Sequence, residues 1–576
     1  MSVDSRSADR KGPENGDTLP DPKRWIALAV ILVAAFMDLL DSTVVNVAIP
    51  SIQEDLGAGY AALQWVTAGY GLAFAVGLIT GGRLGDIYGR KRVFMAGVAG
   101  FTASSLMCAV AQSPGVLVSG RLIQGVMAAV MVPQVLAIIH VTFEPQERGK
   151  AFGMFGGVAG LAAVAGLSLG GVLVQWDLFG LGWRLIFLIN IPLGIIGLLV
   201  GARVIRESKS PQALRLDLIG VVIATVALLM LVYPLMQGRE LDWPVWGFVL
   251  MVVSIPAFVL FLWYERVKTD KDGSPLVALG LFKARSFVSG LAVQIVFYSG
   301  VGVFFLSWTI YMQFGLGWTP LHAGLTTLPF CIGAFVASGT SFGFLAEKYG
   351  RKLMQVGSVL ALLGLGSYVW VVGHYGSGVS TWQMAVPLLL FGIGFGWVTA
   401  PIPAVVLSQA PRKDAGSASA LINTMQQVGA GIGAALVSVV FFGVLGSYAG
   451  DSAGRVGDDL RKELAAHVPA DRIDELVASF RTCSVDRANE KEPGAAPASC
   501  QALQKEDPQV LAVIDKHGQE QTALTFADAF QVSLLTFMGT TVLAFLLMFT
   551  LPKGGAAHFD PDAAEAGEPA PAPAVH

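Results

Sequence analysis

Three charged residues stand inside the apolar stretches of this 576-residue chain: Asp38, Asp41 and Arg121. A charged side chain near the centre of a bilayer costs roughly 2.5 to 3.5 kcal/mol on insertion scales, so it is seldom kept without a partner or a task. Asp38 and Asp41 are three residues apart and, on a helix, project from nearly one face, one above the other. Two carboxylates that close in a poorly solvated cavity repel, and loss of solvation disfavours both charges. At least one is expected to exchange protons near neutral pH, an effect that a neighbouring Arg121 opposes. The same residues also suit a plainer part, a buried ion pair that only fixes two helices together.

The elements that must position them follow from composition. Hydrophobic residues make up 54% of the chain and charged ones 14%, with a mean hydropathy of +0.63, whereas about a quarter of a soluble protein is charged. The expected class is an all-α polytopic membrane protein. Apolar stretches of about 20 residues, each long enough to cross the hydrocarbon as a helix, begin near residues 25, 60, 93, 115, 151, 185, 218, 245, 287, 323, 353, 383, 416 and 530. The first of them lacks a small-x-small exit and follows a polar segment of mixed charge, so it is expected to be a retained helix rather than a cleaved signal.

Orientation follows from lysine and arginine, which are scarce in short translocated loops. Loops after even-numbered spans carry twenty, while short loops after odd-numbered spans carry only Arg184 and Arg239. The asymmetry predicts fourteen spans with both ends in the cytoplasm. Once the tails and the long segment before the last span are counted, the single basic residue left over is Arg121.

Residues 444 to 529 are polar and acidic and are expected outside the cytoplasm, with some helical spacing around Leu460 to Leu464 and Ile473 to Phe480. Cys483 and Cys500 both fall here, near enough in sequence for a disulfide in an oxidising compartment, or for two free thiols. Residues 1 to 24 and 552 to 576 read as disordered cytoplasmic tails, the latter rich in Pro and Ala. No metal site is expected.

An internal repeat supplies the architecture. Gly82, Asp86, Gly89, Arg90 and Lys91 recur at an offset of 261 residues as Gly343, Glu347, Gly350, Arg351 and Lys352. That offset suits two six-helix bundles, residues 25 to 204 and residues 287 to 443 with 530 to 551, separated by two inserted helices in 217 to 264. Glycines allow a tight turn and close helix approach, and the acid and bases can pair across one face, so Gly82, Asp86, Gly89, Arg90, Lys91, Glu347, Gly350 and Arg351 read as a conformational switch loop.

The run Gly82 to Lys91 resembles the loop signature of the major facilitator superfamily, and Asp41 to Pro50 (Asp-Ser-Thr-Val-Val-Asn-Val-Ala-Ile-Pro) resembles the first-helix motif of its fourteen-helix drug:proton antiporter branch. Gly120-Arg121-Leu-Ile-Gln124-Gly125, Trp183 to Pro192 and Ala415 to Gly429 are similar to further motifs of that branch. One run departs from it: Gly166-Leu167-Ser-Leu-Gly170-Gly171 has leucine where the branch has proline, which removes the ring clash that bends a helix. Gly166, Gly170 and Gly171 still give a smooth packing face, expected to meet the partner bundle. The resemblance implies a proton-coupled monomeric exporter in which Asp41 and Arg121 couple proton flow, with Asp38 a second proton site or a contact for a cationic substrate.

No phosphate-binding loop, metal-ligand helix or nucleophile elbow occurs, so neither an enzyme nor an ATP-driven pump is expected, nor any cofactor or nucleic acid. An ion gradient must supply the energy, and carboxylates favour protons. The substrate is expected to be a small, amphipathic molecule at the midplane between bundles, met by Asn46, Gln64, Tyr70, Gln124, Tyr311, Gln313, Trp397, Asn423 and Gln427. Three functions fit: export of drugs or antibiotics, export of one endogenous metabolite, peptide or lipid, and a receptor that no longer transports.

Overall fold

In the computed structural model the described residues are 22 to 551, apart from 59, 177, 210–215, 239–240, 242, 273–274, 342–344, 408–409, 412–413 and 490–496. They are helical almost throughout, with no β-strand among them. The first group of helices is α1 (Arg24–Leu56), α2 (Tyr60–Tyr88), α3 (Arg90–Ala109), α4 (Pro114–Thr142), α5 (Pro145–Trp176), the short α6 (Leu185–Leu188) and α7 (Asn190–Val204). Two helices follow, α8 (Leu218–Gln237) and α9 (Val245–Asp272). The second group is α10 (Arg285–Ile310), α11 (Pro320–Thr326), α12 (Leu328–Thr340), α13 (Ala346–Tyr349), α14 (Arg351–Tyr375), α15 (Thr381–Thr399), α16 (Pro401–Leu407) and α17 (Ala415–Val440). Last come α18 (Phe442–Leu464), α19 (Ala470–Asn489), α20 (Ala498–Leu503) and α21 (Pro508–Leu547), the last of which also belongs to the second group.

Thirteen helical stretches among the described residues are long and apolar enough to cross a membrane. Helix α5, with 32 residues, has the length to cross as well at about 1.5 Å per residue. It is helical without a break through position 167, as the absence of proline there allows. Within the first group α4 packs on α2 and α3, and α1 on α5 and α7; within the second, α15 packs on α12 and α14, and α10 on α17 and α21. The groups meet where α2 lies against α17 and α5 against α11 and α12, with α8 resting on both α2 and α17.

Glycine sets these approaches. A Cβ on Gly81 would lie 2.0 Å from the Ala129 carbonyl oxygen of α4, and one on Gly392 would lie 2.0 Å from the Phe330 carbonyl oxygen of α12, so in each half two backbones touch. Gly166 does not face the second group as expected: it abuts α1, where a Cβ would lie 1.7 Å from Thr43 Oγ1. Gly170 is buried in the same helix and Gly171 follows it. The α5 glycines that do reach across are Gly156, beside Ala400 and Ser338, and Gly157, beside Phe335.

The segment before the last span is built largely on extensions of its flanking helices and has a core of its own. Helix α18 continues almost directly from α17, and α21 starts at Pro508 rather than near 530. Its start is set by Asp507, whose side chain accepts from Gln509 N at 2.9 Å, with Pro508 at the first helical position. Ala453, Leu460 and Leu464 of α18 close on Ile473, Leu476 and Phe480 of α19 and Val510, Val513 and Ile514 of α21, with Ala449 and Val456 buried on the same helix. Cys483 and Cys500 are joined there by a disulfide, with Cα atoms 4.8 Å apart. Because the bridge spans only 17 residues, replacing both cysteines by serine should cost about 3 kcal/mol in that subdomain. A drop in thermal transition temperature, matched by reductant on the wild type and with export retained, is the expected result.

Candidate functional site

The site is built where α1, α2, α3, α4 and α7 meet. Asp41 and Arg121 are fully buried and form an ion pair. Arg121 also donates from Nε to the Val66 carbonyl at 2.9 Å and from Nη1 to Gln124 Oε1 at 2.7 Å. Its guanidinium lies 4.2 Å from the Tyr70 ring centroid and 5.8 Å from that of Phe187. The second Asp41 oxygen accepts from Gln124 Nε2 and Asn190 Nδ2, each at 2.9 Å. Ser105 Oγ accepts from the same two amides, at 2.8 and 3.3 Å. A buried charge pair repays its desolvation only when its remaining lone pairs and protons are satisfied, and here the acid is bonded from three side chains.

Asp38, one turn earlier on α1, is in a different setting. It accepts a hydrogen bond from the Tyr70 hydroxyl and lines a cavity of about 210 Å³ between the two groups of helices. The wall is apolar, with Phe74, Phe152, Phe155, Phe305, Phe330 and Phe395, and polar groups converge from α10 and α17 (Gln294, Tyr298, Asn423, Gln426 and Gln427), with Thr399 from α15. Among the described residues, Asp38 is the one acid in this lining. Tyr70 ties the cavity to the ion pair, since its hydroxyl meets Asp38 while its ring carries Arg121.

The structure sorts the residues expected around the substrate. Asn423 and Gln427 line the cavity. Gln124 and Tyr70 belong to the charge network instead, because their polar atoms are taken up by Asp41, Ser105, Arg121 and Asp38. Tyr311, Gln313 and Trp397 are not in the lining. Tyr311 is fully buried and stacks on Phe530 with ring centroids 4.9 Å apart, and Gln313 sits in the π-helical turn Tyr311–Gly315. Both lie beyond Phe305, the last α10 residue at the cavity, and the π turn changes which face each residue presents. Trp397 points the other way, its Nε1 donating to Thr340 Oγ1 at 3.2 Å. The side chains of Asn46 and Gln64 lie outside the described ones.

The repeated loop falls where the groups meet. Asp86 is buried and accepts from Arg90 Nη2 at 2.7 Å, and from Gly416 N and Ser417 N, each at 3.2 Å. An acid on the first N–H groups of α17 satisfies unpaired donors and complements the helix dipole. Gly82 is pressed between the groups: a Cβ there would lie 2.5 Å from both the Gly416 carbonyl oxygen and Ala420 Cβ. Gly89 and Gly350 precede α3 and α14 with φ of 107° and 50°, backbone that favours glycine, which accounts for their recurrence. Lys91 Nζ donates to the Ala202 carbonyl at 2.7 Å, and Arg351 Nη1 to those of Phe549 and Leu551 at 3.0 and 2.8 Å, each base thus tying the last helix of its own half. The Glu347 side chain lies outside the described ones. At the opposite face Arg184 and Trp183 donate to Asp55, holding its carboxyl below the usual carboxylate range.

Sequence reasoning did not single out Ser105, Gln294 or Tyr298. Asn190 was visible only as part of the motif beginning at Trp183, and its reach to Asp41 required the fold.

Comparison with known proteins agrees with this arrangement. Residues 31–434 match the Major Facilitator Superfamily. A Streptomyces coelicolor protein described as a probable actinorhodin transporter is 38% identical over 547 residues, covering 94% of this chain and 95% of its own. The puromycin resistance protein of Streptomyces alboniger is 35% identical over 75% of this chain and 84% of its own, and the tetracenomycin C resistance and export protein of Streptomyces glaucescens 33% identical over 75% and 77%. Among solved structures, the human organic anion transporter MFSD10 shares the fold with a TM-score of 0.55 at 13% identity, covering 92% of this chain and 99% of its own. The helical arrangement, the buried charges between its helices and the sequence match together place this chain in the major facilitator superfamily, as a multi-pass membrane transporter and not an enzyme.

Proposed function

We propose that the protein exports antibiotics or similar drugs across the bacterial cytoplasmic membrane by alternating access of the cavity between its two halves, in exchange for protons. The observation that carries this is Asp38, a lone acid in an aromatic-walled cavity, linked through Tyr70 to the Arg121–Asp41 pair. Aromatic walls with a few amide groups suit a planar, amphipathic cargo. The printed names of the Streptomyces relatives support antibiotic export. A narrow exporter of one compound is the second reading, favoured by near full-length likeness to a protein described for a single cargo.

In this reading the face bearing Asp86 and the basic loops is cytoplasmic, α5 completes fourteen spans, and the protein works as a monomer. The membrane potential supplies about 2.3 kcal/mol per charge per 100 mV. Drug accumulation in cells with and without the protein, with and without an uncoupler, tests it. Asp38→Asn should raise accumulation to the level of cells lacking the protein, and the uncoupler should then change nothing further. Wild-type export that persists in uncoupled cells would refute proton exchange.

A further inference from the structure

A second set of ionisable side chains is buried beside the contact between halves, on the two inserted helices. Asp217 caps α8: its Oδ1 accepts from Gly220 N and from the Tyr264 hydroxyl, each at 3.0 Å. Glu265, fully buried near the end of α9, accepts through Oε2 from Val277 N at 3.0 Å. The other oxygen of each, Asp217 Oδ2 and Glu265 Oε1, has no hydrogen-bond partner among the described residues. Both border the same space: a Cβ on Gly220 would lie 2.6 Å from Glu265 Oε1 and 2.8 Å from Asp217 Oδ2.

This pair is connected to the contact itself. The segment that Glu265 holds is met from the other side by Ser417, whose Oγ donates to the Leu276 carbonyl at 3.4 Å while its N–H donates to Asp86. Arg83 of α2, buried and with Nε unpartnered among the described residues, interacts electrostatically with both Asp86 and Glu265. Among the described residues, the charged and titratable groups around Glu265 are thus Arg83 from α2, Asp217 from α8, and Tyr264 on α9, near whose hydroxyl lies half-buried Lys268; α17 presents Ser417. Among the described residues, three buried carboxyls (Asp86, Asp217, Glu265) share two buried guanidiniums (Arg83, Arg90).

Two unpartnered carboxylate oxygens bordering one buried space repel when both acids are ionised. One proton from solvent, bound to either oxygen, turns that acid into a donor to the other and leaves the five side chains neutral. We propose that Asp217 and Glu265 together form a proton-binding site, separate from Asp38 and Asp41, whose occupancy holds the halves closed at the Asp86 face. With the proton bound, Glu265 stays seated on Val277 and braces the segment under Ser417; without it, repulsion from Asp217 displaces that brace. The proposal deepens the reading as a proton-driven exporter, and its test reads conformation rather than export.

Nitroxide labels at exposed Lys209 and Lys352, one on each half, report the separation of the halves by pulsed electron resonance on the full-length protein in nanodiscs, from mildly acidic to mildly alkaline pH. In the wild type the closed-to-open ratio should fall as pH rises, by up to about tenfold per pH unit for a one-proton site. Glu265→Gln and Asp217→Asn, which keep shape and supply a permanent donor, should hold the halves closed across the whole range. A wild type insensitive to pH, or either variant titrating like the wild type, overturns the proposal. Asp38→Asn/Asp41→Asn should keep the titration although export is lost, and if neither gate variant folds this protein decides, since loss of its titration places the proton at the central acids and sinks the idea. If export proves indifferent to an uncoupler while the titration persists in Asp38→Asn/Asp41→Asn, proton-driven export fails and the site stands.

Discussion

Replacing Arg121 by alanine should abolish export and destabilise the protein more than any other single change in the first half. The guanidinium serves four partners at once, the Val66 carbonyl, Gln124, Asp41 and the face of Tyr70. Removing it leaves the Asp41 carboxylate buried without its counter-charge, a loss of about 3 to 5 kcal/mol for broken pairs of this kind. Arg121→Lys keeps the charge but not the planar fork that reaches two oxygens and stacks on a ring, so it should retain part of the stability and little of the transport. The decisive protein is Asp41→Asn/Arg121→Gln. With both charges gone, the thermal transition should recover most of the loss while export stays absent. Recovery of export along with stability would mean that the pair only fixes α1 to α4.

That pair was legible because of arithmetic and because a membrane is an unforgiving solvent. Every other basic residue could be assigned to a loop or tail, so Arg121 stood alone in the sequence. The partners that complete it were not legible: Ser105 and Asn190 come from α3 and α7, and no spacing in the chain announces which of many polar residues in apolar helices will point at Asp41. The cavity was legible only in part for the same reason. Asn423 and Gln427 recur with helical spacing on α17 and reach it, whereas Tyr311 and Gln313 were named by residue type alone, and the π turn at Tyr311–Gly315 alters which face each presents.

Charge also misled. Polar residues beyond the spans expected to end near 443 and to begin near 530 concealed that the helices themselves continue, since α18 and the start of α21 carry apolar residues at helical spacing on one face only. Asp507 followed by Pro508 was a helix-start signal in plain view. Glu265 was lost in the same way, as the first charge after an apolar run, when it is in fact fully buried.

The repeated loop leads to the second large effect. Gly82→Ala should disable transport without unfolding either half, because the atoms nearest the added methyl belong to the other half: it would lie 2.5 Å from the Gly416 carbonyl oxygen and from Ala420, both on α17. A backbone carbonyl has little room to yield, and overpacking of this kind costs about 1 to 3 kcal/mol. That penalty falls only on the state in which α2 and α17 touch, so it shifts the closed-to-open ratio by roughly 5- to 150-fold, at about 1.4 kcal/mol per tenfold change. Gly81→Ala, one residue away, is the control. Its methyl would lie 2.0 Å from the Ala129 carbonyl oxygen of α4, inside the first half, so it should lower the thermal transition in every conformation and leave the ratio nearly unchanged. Labels on Lys209 and Lys352 measure the ratio and a thermal melt the stability. If Gly82→Ala melts early while its halves still close normally, α2 and α17 do not form a moving contact, and the switch must be sought elsewhere, at the contact of α5 with α11 and α12.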